Sequence, residues 1–190
     1  MKKLLITAAI IAFSTLPASA AEPYFSLGAG AWLPHSTSGV DYGRQLVATS
    51  YSPGFGLSGA AGIGFRTGTR LECELSYKQA SAKGTNNDTW LMSYMINLWQ
   101  SMPGDNYPIS PYFGGGIGVA RGHVASPGFV DASGNGVAYQ VGGGLDIKLS
   151  QKMTADIGYR YAGMTDSSNN SINKASADGS YLQAALRMNF

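Results

Sequence analysis

The stretch from Ser180 to Phe190 reads Ser-Tyr-Leu-Gln-Ala-Ala-Leu-Arg-Met-Asn-Phe, and the fold can be inferred from it. Every second residue from Leu182 onward is apolar, whereas the residues between include Gln183 and Arg187. Alternation with period two is typical of a β-strand with one apolar and one polar face. The stretch ends on an aromatic side chain, as a strand that reaches the boundary of a lipid bilayer would. It therefore favours a membrane barrel, in which this strand would pair with the first one.

Seven earlier segments alternate in the same way, and each has about the length of a tilted membrane-spanning strand. They cover residues 25–33, 55–66, 70–79, 90–99, 112–121, 137–149 and 153–161. The sequence thus predicts an all-β protein, an eight-stranded antiparallel up-and-down transmembrane β-barrel. Segment 90–99 is apolar on both faces, and we expect its even-numbered residues, from Trp90 to Leu98, to face outward.

The charged residues decide which face points inward. Of the 11 in these segments, only Arg121 shares a face with the large apolar side chains. The other ten are Arg66, Arg70, Glu72, Glu74, Lys78, Asp146, Lys148, Asp156, Arg160 and Arg187. A soluble barrel would enclose the bulky face, which overfills the lumen of eight strands. We therefore expect the apolar face to meet lipid, and all ten except Arg66 to form an ion-pair network that plugs the lumen.

The N-terminus has the pattern of a secretory signal peptide. Lys2 and Lys3 precede an apolar run over residues 4–16, and Pro17-Ala-Ser-Ala20 follows. The run is too short to span a bilayer, and the small residues suit cleavage after Ala20. We expect residues 1–20 to be the signal peptide and 21–190 the barrel domain. The mature chain then has 11 basic (13 − 2) and 11 acidic residues, which argues against a nucleic-acid partner.

The connections and the aromatic residues give an orientation. Long polar connections at 34–54, 79–89, 122–136 and 162–179 alternate with tighter ones at 66–70, 101–110 and 150–152, as extracellular loops and periplasmic turns do. Aromatic girdles are expected at both interfaces. The periplasmic girdle would hold Phe25, Phe65, Phe113 and Phe190, and the outer one Phe55, Tyr77, Trp90, Tyr139, Tyr159 and Tyr161.

Three stretches resemble the small outer-membrane barrels of the opacity-protein and OmpA/OmpX-like group. They are Pro111-Tyr-Phe-Gly-Gly-Gly-Ile-Gly-Val-Ala120, Asp156-Ile-Gly-Tyr-Arg-Tyr161 and the terminal Phe190. The resemblance covers the mature chain. It implies the outer membrane of Gram-negative bacteria and insertion by the barrel-assembly machinery, with Phe190 as the assembly signal. Members of the group serve as adhesins, surface antigens, envelope stabilisers and, less often, lipid-modifying enzymes.

Two patterns in the sequence could indicate a catalytic or a cofactor site, and both have a structural explanation. Glu72 and Glu74 share the lumen face and could form an acid/base pair, but the basic residues on the same face favour a structural plug. The spacing Gly54-Phe-Gly-Leu-Ser-Gly59 matches a dinucleotide fingerprint, yet no helix follows it to hold a phosphate. We expect no cofactor.

The two histidines, His35 and His123, have no cysteine or carboxylate at ligand spacing, so we expect no metal site. A Ser/His/acid hydrolase of outer-membrane lipid remains the alternative from another class. It would use His123 with Ser126, or His35 with Ser36.

Arg121 is the one charge on the apolar face, near the extracellular end of its segment. A cation facing lipid costs about 2–4 kcal/mol at the bilayer midplane but little near an interface. We expect Arg121 to reach lipopolysaccharide, with His123 nearby, or to lie at the interface without a specific partner. Connection 34–54 is our candidate for binding a host or matrix ligand, although such loops can also merely cover the barrel.

These expectations predict a non-enzymatic surface or envelope protein. It would present extracellular loops on a closed barrel. The alternatives are a lipid-modifying enzyme and a narrow passive pore.

Overall fold

Eight antiparallel strands close into a barrel. The computed structural model describes residues 21–35, 37–40, 46–49, 51–81, 88–102, 108–124, 132–166 and 177–190, so the expected signal peptide lies outside the described residues. The strands are β1 (Ala21–Pro34), β2 (Thr37–Val40), β3 (Leu46–Thr49), β4 (Gly54–Phe65), β5 (Thr69–Ser81), β6 (Asp88–Ser101), β7 (Ile109–Val124), β8 (Ala132–Lys148), β9 (Met153–Asp166) and β10 (Ala177–Asn189). The barrel order is β1-β10-β9-β8-β7-β6-β5-β4, closing back onto β1, and β2 pairs with β3 separately. The predicted eight-stranded barrel is confirmed.

The first and last strands of the barrel close it. In their register Leu27 lies opposite Leu186 and Leu33 lies opposite Ser180, so the apolar residues of the C-terminal alternation meet those of β1. Closure gives each of the eight barrel strands a partner on both sides, so the barrel exposes no sheet edge to lipid. Following the sequence expectation, we call the end with Ala21 and Asn189 periplasmic, and the other end extracellular.

The apolar face points away from the barrel axis. Ile117, Leu27 and Ile96 are 71%, 60% and 60% exposed, whereas the inward Trp99 is 1% exposed. In β6, the even-numbered residues from Tyr94 to Leu98 are exposed, which confirms the expected phase of the segment that was apolar on both faces. An apolar outer face over a polar interior suits a barrel surrounded by hydrocarbon. Within the described residues, no helix is long and apolar enough to cross a membrane.

Glycines on the lumen face make room for inward tyrosines. A Cβ atom on Gly56 would lie 2.6 Å from the ring of Tyr181, and one on Gly62 would lie 2.7 Å from the ring of Tyr24. Real Cβ atoms do not approach other atoms this closely. The abundant glycine therefore serves packing inside a narrow barrel, where large and small residues must alternate.

The strands extend further than predicted at the extracellular end. Because β7 and β8 have 16 and 17 residues, the connection between them shrinks to 125–131, and the one between β5 and β6 shrinks to 82–87. Connection 34–54 contains the hairpin of β2 and β3, which alternation did not predict. The expectation that Arg66 lies on a strand is wrong. It is an exposed residue of the turn after Phe65, where Gly68 adopts a φ of 84° that favours glycine.

Candidate functional site: the lumen and the extracellular rim

A layer of polar side chains fills the periplasmic half and the middle of the lumen. At its periplasmic side, Nη1 of Arg70 donates to both carboxylate oxygens of Asp146, at 2.8 and 3.1 Å. Nη1 of Arg187 lies 3.2 Å from the same carboxylate. Three side chains from β5, β8 and β10 are thereby connected across the lumen.

The centre of this layer is built on two glutamates of β5. Glu74 accepts a hydrogen bond from Arg160, and their side chains are 3% and 6% exposed. Glu72 accepts from the hydroxyl of Tyr24 at 2.8 Å and from Nε1 of Trp99 at 2.8 Å. Nδ2 of Asn97 donates to both glutamates at 3.0 Å. Desolvated carboxylates are tolerated only with such a complement of donors.

Aromatic rings cover the guanidinium groups. Arg160 lies 4.7 Å from the centroid of Trp99, and Arg70 lies 5.1 Å from that of Tyr112. Cation–π contacts strengthen when the cation is desolvated, as it is here. We call this assembly the polar layer. Its members are Arg70, Glu72, Glu74, Asn97, Trp99, Gln140, Asp146, Arg160 and Arg187.

Four residues of the expected ion-pair network lie outside the salt bridges of the described chain. Glu72 is held by neutral donors, and Asp156 accepts a hydrogen bond from Tyr112 at 3.0 Å. Lys148 is exposed and lines the periplasmic mouth. Lys78 is 2% exposed, and its Nζ donates to Ser76 at 2.9 Å.

Sequence reasoning missed the neutral donors of the polar layer. Asn97, Trp99, Gln140, Tyr24 and Tyr112 all point inward, and their hydrogen bonds satisfy the carboxylates as directly as the arginines do. The signal was present, because these residues occupy the inward parity of their strands. They were missed because the predicted network included charged residues only.

The cavity within the polar layer is small. A cavity of about 20 Å³ among Tyr24, Glu72 and Arg160 can hold about one water molecule. At the periplasmic mouth the lumen widens into a vestibule of about 260 Å³, which is lined in part by Arg66, Lys148 and Glu22. The polar layer therefore forms the floor of an open periplasmic vestibule.

Two buried apolar clusters lie in the extracellular half of the lumen. One buried cluster contains Leu91, Met95, Ala120, Ala138 and Met164, with Tyr51 packed against it. A second contains Trp32, Ala80, Ala162 and Tyr181. Together we call them the apolar layer. The ammonium group of Lys78 lies at its boundary, 5.6 Å from the ring of Trp32 and 5.2 Å from that of Tyr181.

Aromatic rings follow one another around the outer rim. Tyr77 contacts Phe55 at 6.5 Å between ring centroids and stacks on Trp90 at 6.5 Å, and Trp90 stacks on His123 at 6.3 Å. The structure thus brings together Phe55, Tyr77 and Trp90 of the expected outer girdle, and it adds His123. Arg121 is exposed and lies two positions before His123 on the same face of β7. Both residues border the surface where headgroups would lie.

A polar cluster interrupts this girdle where β1, β10 and β9 meet. Nδ1 of His35 lies 3.1 Å from Oδ2 of Asp178, and Nε2 lies 3.5 Å from the hydroxyl of Ser180. Tyr161 donates to Asp178 at 2.6 Å, and the hydroxyls of Tyr159 and Ser180 lie 2.8 Å apart. We call these five residues the rim cluster.

The sequence singled out His35 as a candidate catalytic residue and Tyr159 and Tyr161 as girdle residues, but it did not indicate Asp178 or Ser180. Ser36 and Ser126, the serines expected beside the two histidines, lie outside the described residues. Asp178 and Ser180 are more than 140 positions from His35 along the chain. They could have been found by extending the pairing of the first and last strands to their extracellular ends. Among the described residues, no group of three His, Cys, Asp or Glu could hold a metal ion.

Comparison with known proteins agrees with this architecture. The family model described as the outer membrane protein beta-barrel domain matches residues 5–190. No curated protein matches the sequence. The solved structure of Neisserial surface protein A (NspA) is similar, with 20% sequence identity and a TM-score of 0.61. The match covers 90% of this chain and 99% of that chain. OprG from Pseudomonas aeruginosa is similar at 17% identity, 90% and 97% coverage and a TM-score of 0.53. The chain therefore belongs to the outer membrane protein beta-barrel domain family and is a protein of the Gram-negative outer membrane.

Proposed function

We propose that the barrel is a closed, rigid scaffold whose main role is to present its extracellular connections, as an envelope structural protein or an adhesin-like surface antigen. The filled lumen is the observation that carries this proposal. Asn97 and Trp99 are 0% and 1% exposed, and the cavity that Trp99 helps to line has room for about one water molecule. A closed barrel cannot conduct solutes, so its extracellular surface is left as the part that meets the environment.

Closure is tested by recording from the purified, refolded protein in planar bilayers, with a porin as the positive control. We expect no steady single-channel current, because the hydrogen-bonded side chains of the polar layer cross the lumen and block it. Steady, large currents would instead support the narrow passive pore.

Presentation of the loops is tested by epitope insertion. A tag inserted within residues 167–176, which connect β9 to β10, should bind antibody on intact cells. The matched control carries the same tag in turn 149–152, between β8 and β9, and should need permeabilised cells. The reverse labelling pattern would overturn the orientation.

Connection 34–54, which contains the β2–β3 hairpin, is the candidate binding region of the extracellular surface. We propose that this connection binds a host or matrix ligand, because it adds a small sheet beyond the barrel. Cells that express a variant lacking residues 41–45 should lose binding to immobilised host-matrix proteins, whereas a variant lacking residues 82–87 should retain it. Equal binding by both would assign the contact elsewhere.

A contact of Arg121 and His123 with lipopolysaccharide is proposed from their shared outward face in the outer girdle. Arg121→Ala should lower barrel stability in bilayers with lipopolysaccharide, because a headgroup phosphate loses a bidentate donor. In neutral detergent we expect little change. Arg66→Ala, at an exposed arginine of the opposite rim, is the matched control and should be indifferent to lipopolysaccharide.

Export and assembly complete the proposal. N-terminal sequencing of the protein recovered from outer membranes should begin at Ala21, if the signal peptide is cut after Ala20. We propose that Phe190, which is 76% exposed at the periplasmic end of β10, is read by the barrel-assembly machinery. Phe190→Ala should then reduce the fraction of folded, heat-modifiable barrel in cells without preventing refolding in detergent.

A further inference from the structure

Three residues of the rim cluster have the chemical groups and the sequence of contacts of a serine hydrolase. The hydroxyl of Ser180 lies 3.5 Å from Nε2 of His35, and the opposite ring nitrogen lies 3.1 Å from the carboxylate of Asp178. Such a triad is recognised by geometry and roles, whatever the order of its residues along the chain. The Ser–His contact is long, as such contacts often are without substrate.

The neighbouring contacts suit one arrangement of protons. Asp178 can accept a hydrogen bond from Nδ1–H of His35, which leaves Nε2 unprotonated and able to accept one from the hydroxyl of Ser180. The hydroxyl of Tyr161 also donates to Asp178, and the backbone N–H of His35 donates to the carbonyl oxygen of Asp178 at 2.9 Å. The carboxylate and the imidazole are therefore held in place from two sides, as a base and its positioning residue must be.

The location points to the substrate class. Ser180 shares the outward face of β10 with Leu182, which is 51% exposed. Ten positions separate it from Phe190, and at a rise of about 3.3 Å per residue and a tilt of about 40° they span about 25 Å. That is the height of the apolar band of an outer-membrane barrel. Ser180 thus lies where the ester bonds of outer-leaflet lipids meet water, with acyl chains alongside the apolar residues.

We infer that Ser180, His35 and Asp178 form a hydrolytic site that cleaves fatty acyl esters of outer-leaflet lipids. This activity goes beyond the proposed scaffold role and departs from the sequence expectation of a non-enzymatic barrel. Water is the co-substrate, and the side chains of His35 and Asp178, 50% and 34% exposed, leave it access.

The reaction is balanced as two acyl transfers. Oγ of Ser180 attacks the ester carbonyl carbon while its proton passes to Nε2 of His35. The tetrahedral intermediate collapses, the ester C–O bond breaks, and His35 returns the proton to the leaving alkoxide. Water then attacks the acyl-serine, loses a proton to His35, and releases the fatty acid with Ser180 restored.

Tyr159 is the donor available to the oxyanion. Its hydroxyl lies 2.8 Å from Oγ of Ser180. Turned towards the carbonyl oxygen, it would stabilise the charge that develops during attack. Tyr159→Phe should therefore lower kcat by about 10- to 100-fold with little change in KM.

The experiment uses the refolded full barrel and a fluorophosphonate probe, which a nucleophilic serine attacks with loss of fluoride. Mass spectrometry should locate the label on Ser180. Ser180→Ala should abolish labelling, and His35→Ala should reduce its rate by at least about 100-fold. Ser150→Ala, at an exposed serine of the opposite end, is the matched control and should label normally. Folding of each variant is verified by heat-modified mobility on gels.

Vesicles containing either phospholipid or hexa-acylated lipid A identify the ester that is cleaved. Release of fatty acid with lysophospholipid assigns the first, and release with partly deacylated lipid A assigns the second. Asp178→Asn should lower kcat at least about tenfold and alter its pH profile, which a merely structural contact would not do. Folded wild-type barrel that neither labels at Ser180 nor releases fatty acid would overturn the inference, and the loop-tagging result for the scaffold role would be unaffected.

Discussion

The two halves of the lumen solve the same packing problem with opposite chemistry. The polar layer places three acidic residues and three arginines, of which Arg70 and Arg160 are buried, among neutral donors. The apolar layer fills the same narrow barrel with methionine, leucine, alanine and aromatic rings. Both pack side chains against one another across the barrel, but their tolerance of change should differ. In the polar layer each charge depends on a specific partner, whereas in the apolar layer volume is what matters.

Lys78 is a buried cation that lies at the boundary of the apolar layer. It is as deeply buried as the arginines, yet it contacts two aromatic rings and a serine hydroxyl in place of a carboxylate. The comparison therefore predicts that the folding free energy lost when a lumen cation is removed depends on whether the cation contacts a carboxylate, and not on burial alone.

The largest effect is expected for Arg160→Met. This change leaves Glu74, whose side chain is 3% exposed, with neutral donors only. An uncompensated buried charge costs about 3–5 kcal/mol of folding free energy. Reversible urea unfolding in lipid vesicles measures it. The double variant Arg160→Met with Glu74→Gln should recover most of the loss, and a single-variant loss below about 1 kcal/mol would contradict the importance of this pair.

A somewhat smaller loss is expected for Met164→Ala in the apolar layer. Met164 is 1% exposed and packs in the cluster with Leu91 and Met95. Removal of its side chain leaves a cavity and should cost about 2–4 kcal/mol. Met164→Leu is the volume-matched control and should stay within about 1.5 kcal/mol of the wild type. Equal losses for both variants would show that volume is not what the layer requires.

Gly56→Ala should cost about 1–3 kcal/mol, because the new methyl group would displace the ring of Tyr181. Gly59→Ala on the same strand is the control. Its Cβ would lie no closer than 3.7 Å to any atom, in ordinary contact with Leu27, so it should be neutral or slightly stabilising. The same unfolding assay distinguishes a steric requirement at Gly56 from a general effect of glycine in β4.

The smallest effect is expected for Lys78→Met. This variant loses a hydrogen bond to Ser76 and two cation–π contacts, but it also avoids burying an ammonium group. We expect the folding free energy to change by less than about 1 kcal/mol. A loss as large as that of Arg160→Met would break the distinction between the two halves of the lumen.

Much of the fold could be read from alternation. The eight strands follow from period-two patterns in the sequence. Their outward faces, and the inward direction of Trp99, follow from the same patterns once the barrel is taken to be surrounded by lipid. The ends of the strands could not be read in the same way. Hydrogen bonding between neighbouring strands continues past the membrane, so β7 runs to Val124, beyond the apolar pattern that marked its predicted end.

The sites were likewise predictable only in part. The inward charges of Arg70, Glu74 and Arg160 were evident from parity, but not that Glu72 would be held by an indole, an amide and a phenol. The rim cluster was harder to predict from the sequence, because its serine and its histidine are 145 positions apart along the chain.

The amino-acid sequence by itself therefore determined which side chains face lipid and which face the lumen, since the two faces of a strand alternate whatever its neighbours are. Only the tertiary structure decided which inward groups meet and which outward groups gather at the rim. The physical reason is that a closed barrel imposes one register on every pair of strands. That register brings Leu33 opposite Ser180 and so places His35 beside Asp178.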